Sequence, residues 1–378
     1  MTATVGGFGC IVLLLVTRRF GLAFPVHQFP NQPGIVETAT SRSYSTTALN
    51  QKTNNDSDND SDNEQGTIVE RCFDAFNQRD LNSIMDCFAD DCRYEDTLFQ
   101  GSAVGKQDLK RRFQHALETT NLLLPSSKVI VDNVAWDPST GKLGARWHIE
   151  MDDHGRRTRL PFSQGCSFYT TNLETGRIQS GFRVMESPFK PDDAIFNALI
   201  VPTKMMEALS PAPTLSSPSS SSSSSSSFGN QSKPNNQQFR SIIERAYDGW
   251  NRRDIDAAVA CFTDDVFYED TLYLKPMQGK EALRNHYRRV ANQLPRICTI
   301  VLDDLVESPT NGNIGIRWHL AVDDDRNLLQ GWSRGCSMYT TDPETGLITT
   351  GFDVTETPFK VNGQGLDLLL SPLQMLKF

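Results

Sequence analysis

The sequence predicts an α+β fold present twice in one chain, and three observations carry that reading. The chain repeats itself at an offset of about 170 to 174 residues, the length of a duplicated domain and not of a solenoid unit. Within each copy helical spacing comes first and period-two alternation follows. A serine-rich stretch with almost no large apolar residues separates the copies and cannot build a core.

The repeat is explicit. Residues Ile68 to Leu81, IVERCFDAFNQRDL, match Ile242 to Ile255, IIERAYDGWNRRDI. CFADDCRYEDTL from Cys87 matches CFTDDVFYEDTL from Cys261, and Arg146-Trp147-His148 matches Arg317-Trp318-His319. The long segment from Gly165 to Lys190 matches that from Gly335 to Lys360.

The elements are justified in order. Val69, Cys72, Phe73 and Phe76 recur at helical spacing, as do Ile243, Ala246, Tyr247 and Trp250, so each copy opens with an amphipathic helix. A turn at Asn77 to Asp80, or Asn251 to Asp254, leads into a second short helix expected to end at Phe88 or Phe262. The strand RYEDTL or FYEDTL follows, and Gly105-Lys106 or Gly279-Lys280 opens a third helix. The remainder alternates with period two and is broken by turn signals such as Asp137 to Gly141 and Thr341 to Gly346. Helices followed by a run of antiparallel strands predict helices covering one face of a curved sheet.

Length and composition fit two soluble domains, with 38% hydrophobic and 22% charged residues in 378. A net charge of −9 argues against a nucleic-acid partner, because phosphate attraction needs clustered Lys and Arg. The eight cysteines form no CxxC pair and no zinc spacing with histidine, so no metal and no cofactor is implied. They read as small buried apolar residues, with a regulatory disulfide as the alternative.

The expected organisation is a signal peptide over residues 1–23, a transit peptide and disordered linker over 24–64, a first domain over 65–201, a serine-rich linker over 202–238 and a second domain over 239–378. The apolar run Val5 to Val16 has h-region length and is too short to span a bilayer, so no integral membrane segment is expected in the mature chain. Gly21-Leu22-Ala23-Phe24-Pro25 resembles the cleavage motif of plastid presequences in algae with secondary plastids, and Glu37 is the only acid between Phe24 and Thr53. That resemblance implies a plastid address, with a secreted or mitochondrial one as the alternatives. The linker is long enough for the copies to lie side by side, so an intramolecular pseudo-dimer is sterically open, as is a homodimer.

The element order, with F-x-D-D-x-x-Y-E-D followed by Gly-Lys opening a third helix, resembles the NTF2-like superfamily and its SnoaL-like, polyketide cyclase-like branch. The resemblance implies two tandem cone folds, each with an apolar pocket between helices and sheet that takes a hydrophobic small molecule. The strand ending in Glu-Asp is similar to that of ketosteroid isomerase, whose general base there corresponds to Asp96 and Asp270. Tyr94 and Tyr268 share a strand face with these acids. The isomerase's oxyanion donors have no counterpart in kind at Cys72, Ala246, Ser167 or Ser337, with Phe73 and Tyr247 expected on a different helical face, so steroid isomerisation is not expected.

SnoaL-like cyclases carry an acid/base Asp after an aromatic on the last strand. Phe352-Asp353 matches that pattern, whereas Phe182-Arg183 in the first copy does not, and Arg cannot act as a base. Cyclase-type chemistry is therefore expected of the second copy, the first being a structural or regulatory partner. Trp147 and Trp318 are expected to line the cones. His148 and His319 alternate with them onto the outer sheet face, where such domains pair, with a pocket acid/base role for His319 as the alternative. Glu186 and Glu356 read as exposed strand-end residues, with pocket carboxylates as the alternative, and Phe88, Phe262, Tyr169 and Tyr339 as core. The apolar stretches Ala194 to Val201 and Leu366 to Leu376 are expected to dock over the cone mouths, with membrane-surface attachment as the alternative, disfavoured by the lack of a basic face.

Three functions stay open: a cofactor-independent enzyme using Asp270, Asp353 and His319, with Asp96 as the first copy's candidate; a non-catalytic pocket for a plastid lipid, pigment or isoprenoid; and a protein-interaction scaffold.

Overall fold

The structure, a computed structural model, describes residues 66–153, 155–187, 190, 241–322, 327–328 and 333–356. The expected targeting sequence, the serine-rich linker and both apolar stretches lie outside the described residues.

The first domain runs α1 (Gly66–Asn77), α2 (Leu81–Asp86), β1 (Phe88–Asp96), β2 (Ala103–Val104), α3 (Lys106–Leu123), β3 (Ser127–Asp137), β4 (Lys142–Asp153), β5 (Arg156–Arg159), β6 (Gly165–Thr171) and β7 (Ile178–Met185). The second repeats it as α4 (Ile242–Asn251), α5 (Ile255–Val259), β8 (Phe262–Asp270), β9 (Met277–Gln278), α6 (Lys280–Gln293), β10 (Cys298–Glu307), β11 (Asn313–Val322), β12 (Asn327–Leu328), β13 (Arg334–Thr341) and β14 (Ile348–Thr355).

Each sheet has the order β2-β1-β7-β6-β4-β3 or its counterpart β9-β8-β14-β13-β11-β10. It is not antiparallel throughout, because β7 returns beside β1 in parallel register, as β14 does beside β8. The short second helix stops at Asp86 or Val259 and not at the phenylalanine expected to end it. Phe88 and Phe262 already pair with Ile178 and Ile348, so the sheet ladder claims them and the strand begins five residues before RYEDTL.

The repeated Asn-x-Arg-Asp turn is a structural device with three parts. Asn77 exchanges two hydrogen bonds with the Val129 backbone, of 2.8 and 2.7 Å, and so mimics a strand partner at the sheet edge. Arg79 takes φ 62, costly for a side chain with a Cβ, and its guanidinium spans the turn to the carbonyls of Phe76 and Ser127, each at 2.9 Å. Asp80 caps α2 through the Asn82 and Ser83 amides at 3.0 and 3.1 Å. The second copy repeats this with Asn251, Arg253 and Asp254. Asp80→Ala is expected to cost about 1 kcal/mol, seen as a lower urea midpoint of the full chain; an unchanged midpoint would show that the turn does not depend on its cap.

Along β4, Leu143, Ala145 and Trp147 enter the core of the first cone, and along β11 Ile314, Ile316 and Trp318 enter that of the second. The opposite sheet faces pack against each other. Ala135, Cys166, Phe168, Phe182 and Val184 of the first domain form one buried cluster with Val306, Cys336, Met338, Phe352 and Val354 of the second. Near its centre Gly144 and Gly315 meet, and a Cβ added to either would lie 3.0 Å from the other's Cα. Around this centre Lys142 pairs with Asp304 at 2.5 Å, Arg334 with Glu95 at 2.8 Å, and Arg146 with Glu269. Arg146 also lies over the Phe352 ring at 4.1 Å.

The seven described cysteines are all free thiols, six of them buried. Glu186 and Glu356, expected on exposed strand ends, are buried at 5% and 2% exposure, because Lys190 and Arg334 hold them in ion pairs of 2.7 and 2.8 Å. Among the described residues no helix is long and apolar enough to cross a membrane.

Candidate functional site

The second cone converges on one carboxylate. Asp353 stands on β14 between Ser337 of β13 and Asp270 of β8, its register partners on the neighbouring strands. Its Oδ1 accepts the Tyr339 hydroxyl at 2.8 Å and its Oδ2 accepts the Tyr268 hydroxyl. The Tyr247 hydroxyl, from α4, lies 2.8 Å from that of Tyr339. Tyr287 of α6 packs edge-on against Tyr268, with ring centroids 5.7 Å apart.

Small residues make room for these rings. A Cβ on Gly351 would sit 2.5 Å from Tyr268 Cδ2 and 3.1 Å from Tyr339 Cε1. Only a bare backbone there lets both rings lie over β14 and bring their hydroxyls to Asp353.

Burial, and next the neighbouring Asp270 charge, push the Asp353 carboxyl up to about 6 against the opposing hydrogen bonds from Ser337, Tyr268 and Tyr339. The four tyrosines stand well above their ordinary value, through burial first and the Asp353 charge second. They therefore remain hydroxyl donors at neutral pH.

A second polar pair lies at the rim. His286 of α6, 5% exposed, places Nε2 3.1 Å from Asp270 Oδ2 and packs edge-on to Tyr273 at 4.8 Å. Asp270 Oδ1 accepts the Leu272 amide at 2.9 Å, which fixes the carboxylate toward the histidine. Outside this rim a cleft of about 290 Å³ opens between the domains, where Phe162, Gln164 and Lys190 face Asp270, Tyr273 and Leu274. The cleft thus reaches two of the groups that touch His286.

The structure brings together Asp270, Asp353 and Tyr268 of the residues expected from sequence. Trp318 forms wall, its indole donating to Ser337 Oγ at 2.8 Å, as Trp147 does to Ser167 at 2.9 Å. His319 lies on the other face of β11, where Nδ1 is 2.7 Å from Asp303 Oδ1; it does not join the Asp353 cluster. Tyr94 and Asp96 occupy the first cone, with Arg183 in place of Asp353 and Nη1 3.6 Å from Asp96 Oδ2.

Three of these residues, Tyr247, Tyr287 and His286, are not among the site residues expected from sequence, and Tyr339 is expected only as core. Tyr247, expected on a different helical face, is turned into the cone by α4. A signal was present in the duplication itself. The first copy has Phe73, Phe113 and Arg112 where the second has Tyr247, Tyr287 and His286, and these changes converge with Arg183/Asp353 on one cone.

Among the described residues no group of three or more His, Cys, Asp or Glu side chains is placed to hold a metal ion. The Asp353 carboxyl, the tyrosine hydroxyls and His286 are groups that can transfer protons and make hydrogen bonds.

Fold and site together define a tandem pair of NTF2-like cone domains, the second with a carboxyl group buried at its centre. The SnoaL-like domain model matches residues 69–180 and 243–350, more than half of the chain, and the protein belongs to that family. Solved structures similar to it include a protein of unknown function with a cystatin-like fold from Methylobium petroleophilum PM1, 17% identical, covering 33% of this chain and 77% of that one with a TM-score of 0.26. A putative polyketide cyclase from Sinorhizobium meliloti is 20% identical over 31% of this chain and 92% of its own, with a TM-score of 0.24. An NTF2-like protein of unknown function from Cytophaga hutchinsonii ATCC 33406 is 10% identical over 30% and 86%, with a TM-score of 0.23. A search of curated proteins finds no match.

Proposed function

We propose that the second domain is a cofactor-independent acid/base catalyst that moves a proton on an apolar, enolisable carbonyl compound, in the manner of an isomerase or cyclase. The observation that carries this reading is the Asp353 carboxyl, buried in the cone, bracketed by the Tyr268 and Tyr339 hydroxyls and pushed up to about 6. A group with that pKa is ionised at neutral pH yet holds a proton well enough to return it.

In this reading Asp353 takes the proton from the carbon beside the carbonyl. The C–H electron pair moves into the enolate, whose oxygen is stabilised by a hydroxyl of the tyrosine cluster or by His286. Asp353 then returns the proton to a second carbon in an isomerisation, whereas in a cyclisation the enolate carbon attacks a second carbonyl and the proton held by Asp353 passes to the new alkoxide, which His286 can hydrogen-bond. Asp270 orients His286. The first domain serves by pairing with the second inside the chain and completing the cleft at its rim.

The test uses hydrogen exchange and needs no knowledge of the natural substrate. The full chain is incubated in deuterium oxide with a panel of apolar 1,3-dicarbonyl and β,γ-unsaturated ketones, and deuterium uptake at carbon is followed by NMR. Exchange above buffer is expected, with a rate rising as pH rises through about 6, and Asp353→Asn should lower it on the order of 100-fold or more. No exchange with any member of the panel, or equal exchange by Asp353→Asn, sinks the enzyme reading and leaves a pocket that binds without chemistry.

A further inference from the structure

Two cysteines of the first domain form a pair that the second domain lacks. Cys72 stands on α1, and Cys87 closes the C-terminus of α2 immediately before β1. A side-chain hydrogen bond runs from the Cys72 thiol to the Cys87 sulfur, and the Cys87 thiol itself donates to the Ser83 carbonyl at 3.4 Å. Cys87 belongs to the buried core of the first domain and Cys72 packs against it. Cys72 is the one described cysteine that is not fully buried. In the second domain Cys261 keeps the place of Cys87, but Ala246 stands where Cys72 would be.

The duplication therefore holds its own control. Burial raises the Cys261 thiol, against the nearby Arg245. At the same place in the fold the Cys87 thiol is lowered, first by the hydrogen bond from Cys72 and then, against burial and Asp86, by Arg71 and Lys106. The same bond raises Cys72, which keeps its proton. Arg245 and Lys280 repeat Arg71 and Lys106 in the second copy, so the partner thiol is what separates the two sites. A cysteine that ionises readily, in contact with a second, protonated thiol, is the arrangement that a two-electron oxidant converts to a disulfide.

We infer that Cys72 and Cys87 are an oxidation site, at which hydrogen peroxide closes a disulfide between α1 and the α2–β1 corner of the first cone. The Cys87 thiolate attacks one peroxide oxygen, the O–O bond breaks, and the hydroxide that leaves takes up the proton Cys87 gave up. The Cys72 sulfur then attacks the sulfenic acid at Cys87. The S–S bond forms, the S–O bond breaks, and the hydroxyl leaves as water with the Cys72 proton. Two thiols and one hydrogen peroxide thus give one disulfide and two waters, the sulfurs being oxidised and the peroxide oxygens reduced. Closure draws the sulfurs from hydrogen-bond contact to about 2.05 Å and encloses the Asn77 to Asp80 turn in a covalent loop. Because α1 carries Phe73 onto Trp147, the bridge fastens a wall of the first cone. The inference does not depend on chemistry at Asp353.

The experiment exposes the full chain to hydrogen peroxide, blocks the remaining thiols with N-ethylmaleimide before unfolding, and maps the tryptic peptides without reduction. The peptide Cys72 to Arg79 linked to the peptide Asp80 to Arg93 is expected, with fragmentation placing the bridge on Cys87 and not on Cys92, and dithiothreitol should release it. Within the same molecules Cys87 is expected to be consumed about tenfold faster than Cys261. Cys72→Ala copies Ala246, which the second domain already accommodates; in that variant Cys87 should lose its advantage over Cys261 and form no bridge. Absence of the linked peptide, or equal consumption of Cys87 and Cys261 in the parent, overturns the inference, and neither readout needs a variant. An advantage of Cys87 that persists undiminished in Cys72→Ala is equally fatal, because the partner thiol would then not be its cause.

Discussion

At pH 7.5 the Asp353→Asn variant is expected to be more stable than the parent even as it loses activity. The folded carboxyl titrates at about 6 against an ordinary 3.8, so the native state binds its proton more tightly than the unfolded chain does. Its contribution is therefore fully present below about pH 4 and is lost as pH rises through about 6. At neutral pH the second domain carries a buried charge that costs on the order of 2 to 3 kcal/mol. Asn keeps an acceptor for one of the two tyrosine hydroxyls, its NH2 can donate to the other's oxygen, and the charge is removed.

Calorimetry of the full chain should show the second domain's transition rise on the order of 8 °C at pH 7.5 and the gain shrink markedly at pH 4.5. A gain of equal size at both pH values would mean that the Asp353 charge is not what destabilises the cone. A gain confined to the higher pH would instead mean that the residue proposed for proton transfer is one the fold tolerates at a cost, as expected where function competes with packing.

Gly144→Leu is expected to split the paired domains. Gly144 and Gly315 touch backbone to backbone, and a Cβ at 144 would also lie 3.1 Å from Met338 Sδ. The obstruction opposite is a Cα, which cannot rotate away, so the sheets must part. The loss is about 1 to 3 kcal/mol from overpacking, and separation uncovers the cluster of Phe168, Phe182, Met338 and Phe352. Small-angle scattering should report a larger radius of gyration, or self-association through the exposed faces. A surface control, Thr175→Leu, at an exposed turn, should leave the scattering curve unchanged. If Gly144→Leu scatters like the parent, the packing of the sheets is not what holds the domains together.

Much of this architecture was legible before any coordinates. Duplication, element order and the cone fold follow from a repeated pattern in which periodicity switches from 3.6 to 2, and hydrophobic burial responds to that period directly. Trp147 and Trp318 point inward, and Arg146 and His148 outward, because alternation along a strand leaves no other choice. The site was legible only in part. Asp270, Asp353 and Tyr268 lie on strands and were found through a strand motif. Tyr247 and His286 lie on helices whose rotation about their axes depends on how they seat in the sheet. A helix one residue out of phase turns by about 100°, which is why spacing alone does not turn Tyr247 toward the cone.

By itself the sequence determined that two α+β domains exist, which strand faces are buried, and that the copies differ at the last strand, because these are properties of local periodicity and of a repeat compared with itself. Only the tertiary structure decided that Tyr247, Tyr268 and Tyr339 meet around Asp353, that His286 is the partner of Asp270 while His319 is not, and that the outer sheet faces close on each other at Gly144 and Gly315. Those are contacts between residues 14 to 171 positions apart in the chain. Their occurrence depends on sheet order, register and helix seating, which the summed packing of the whole domain sets and no short segment encodes.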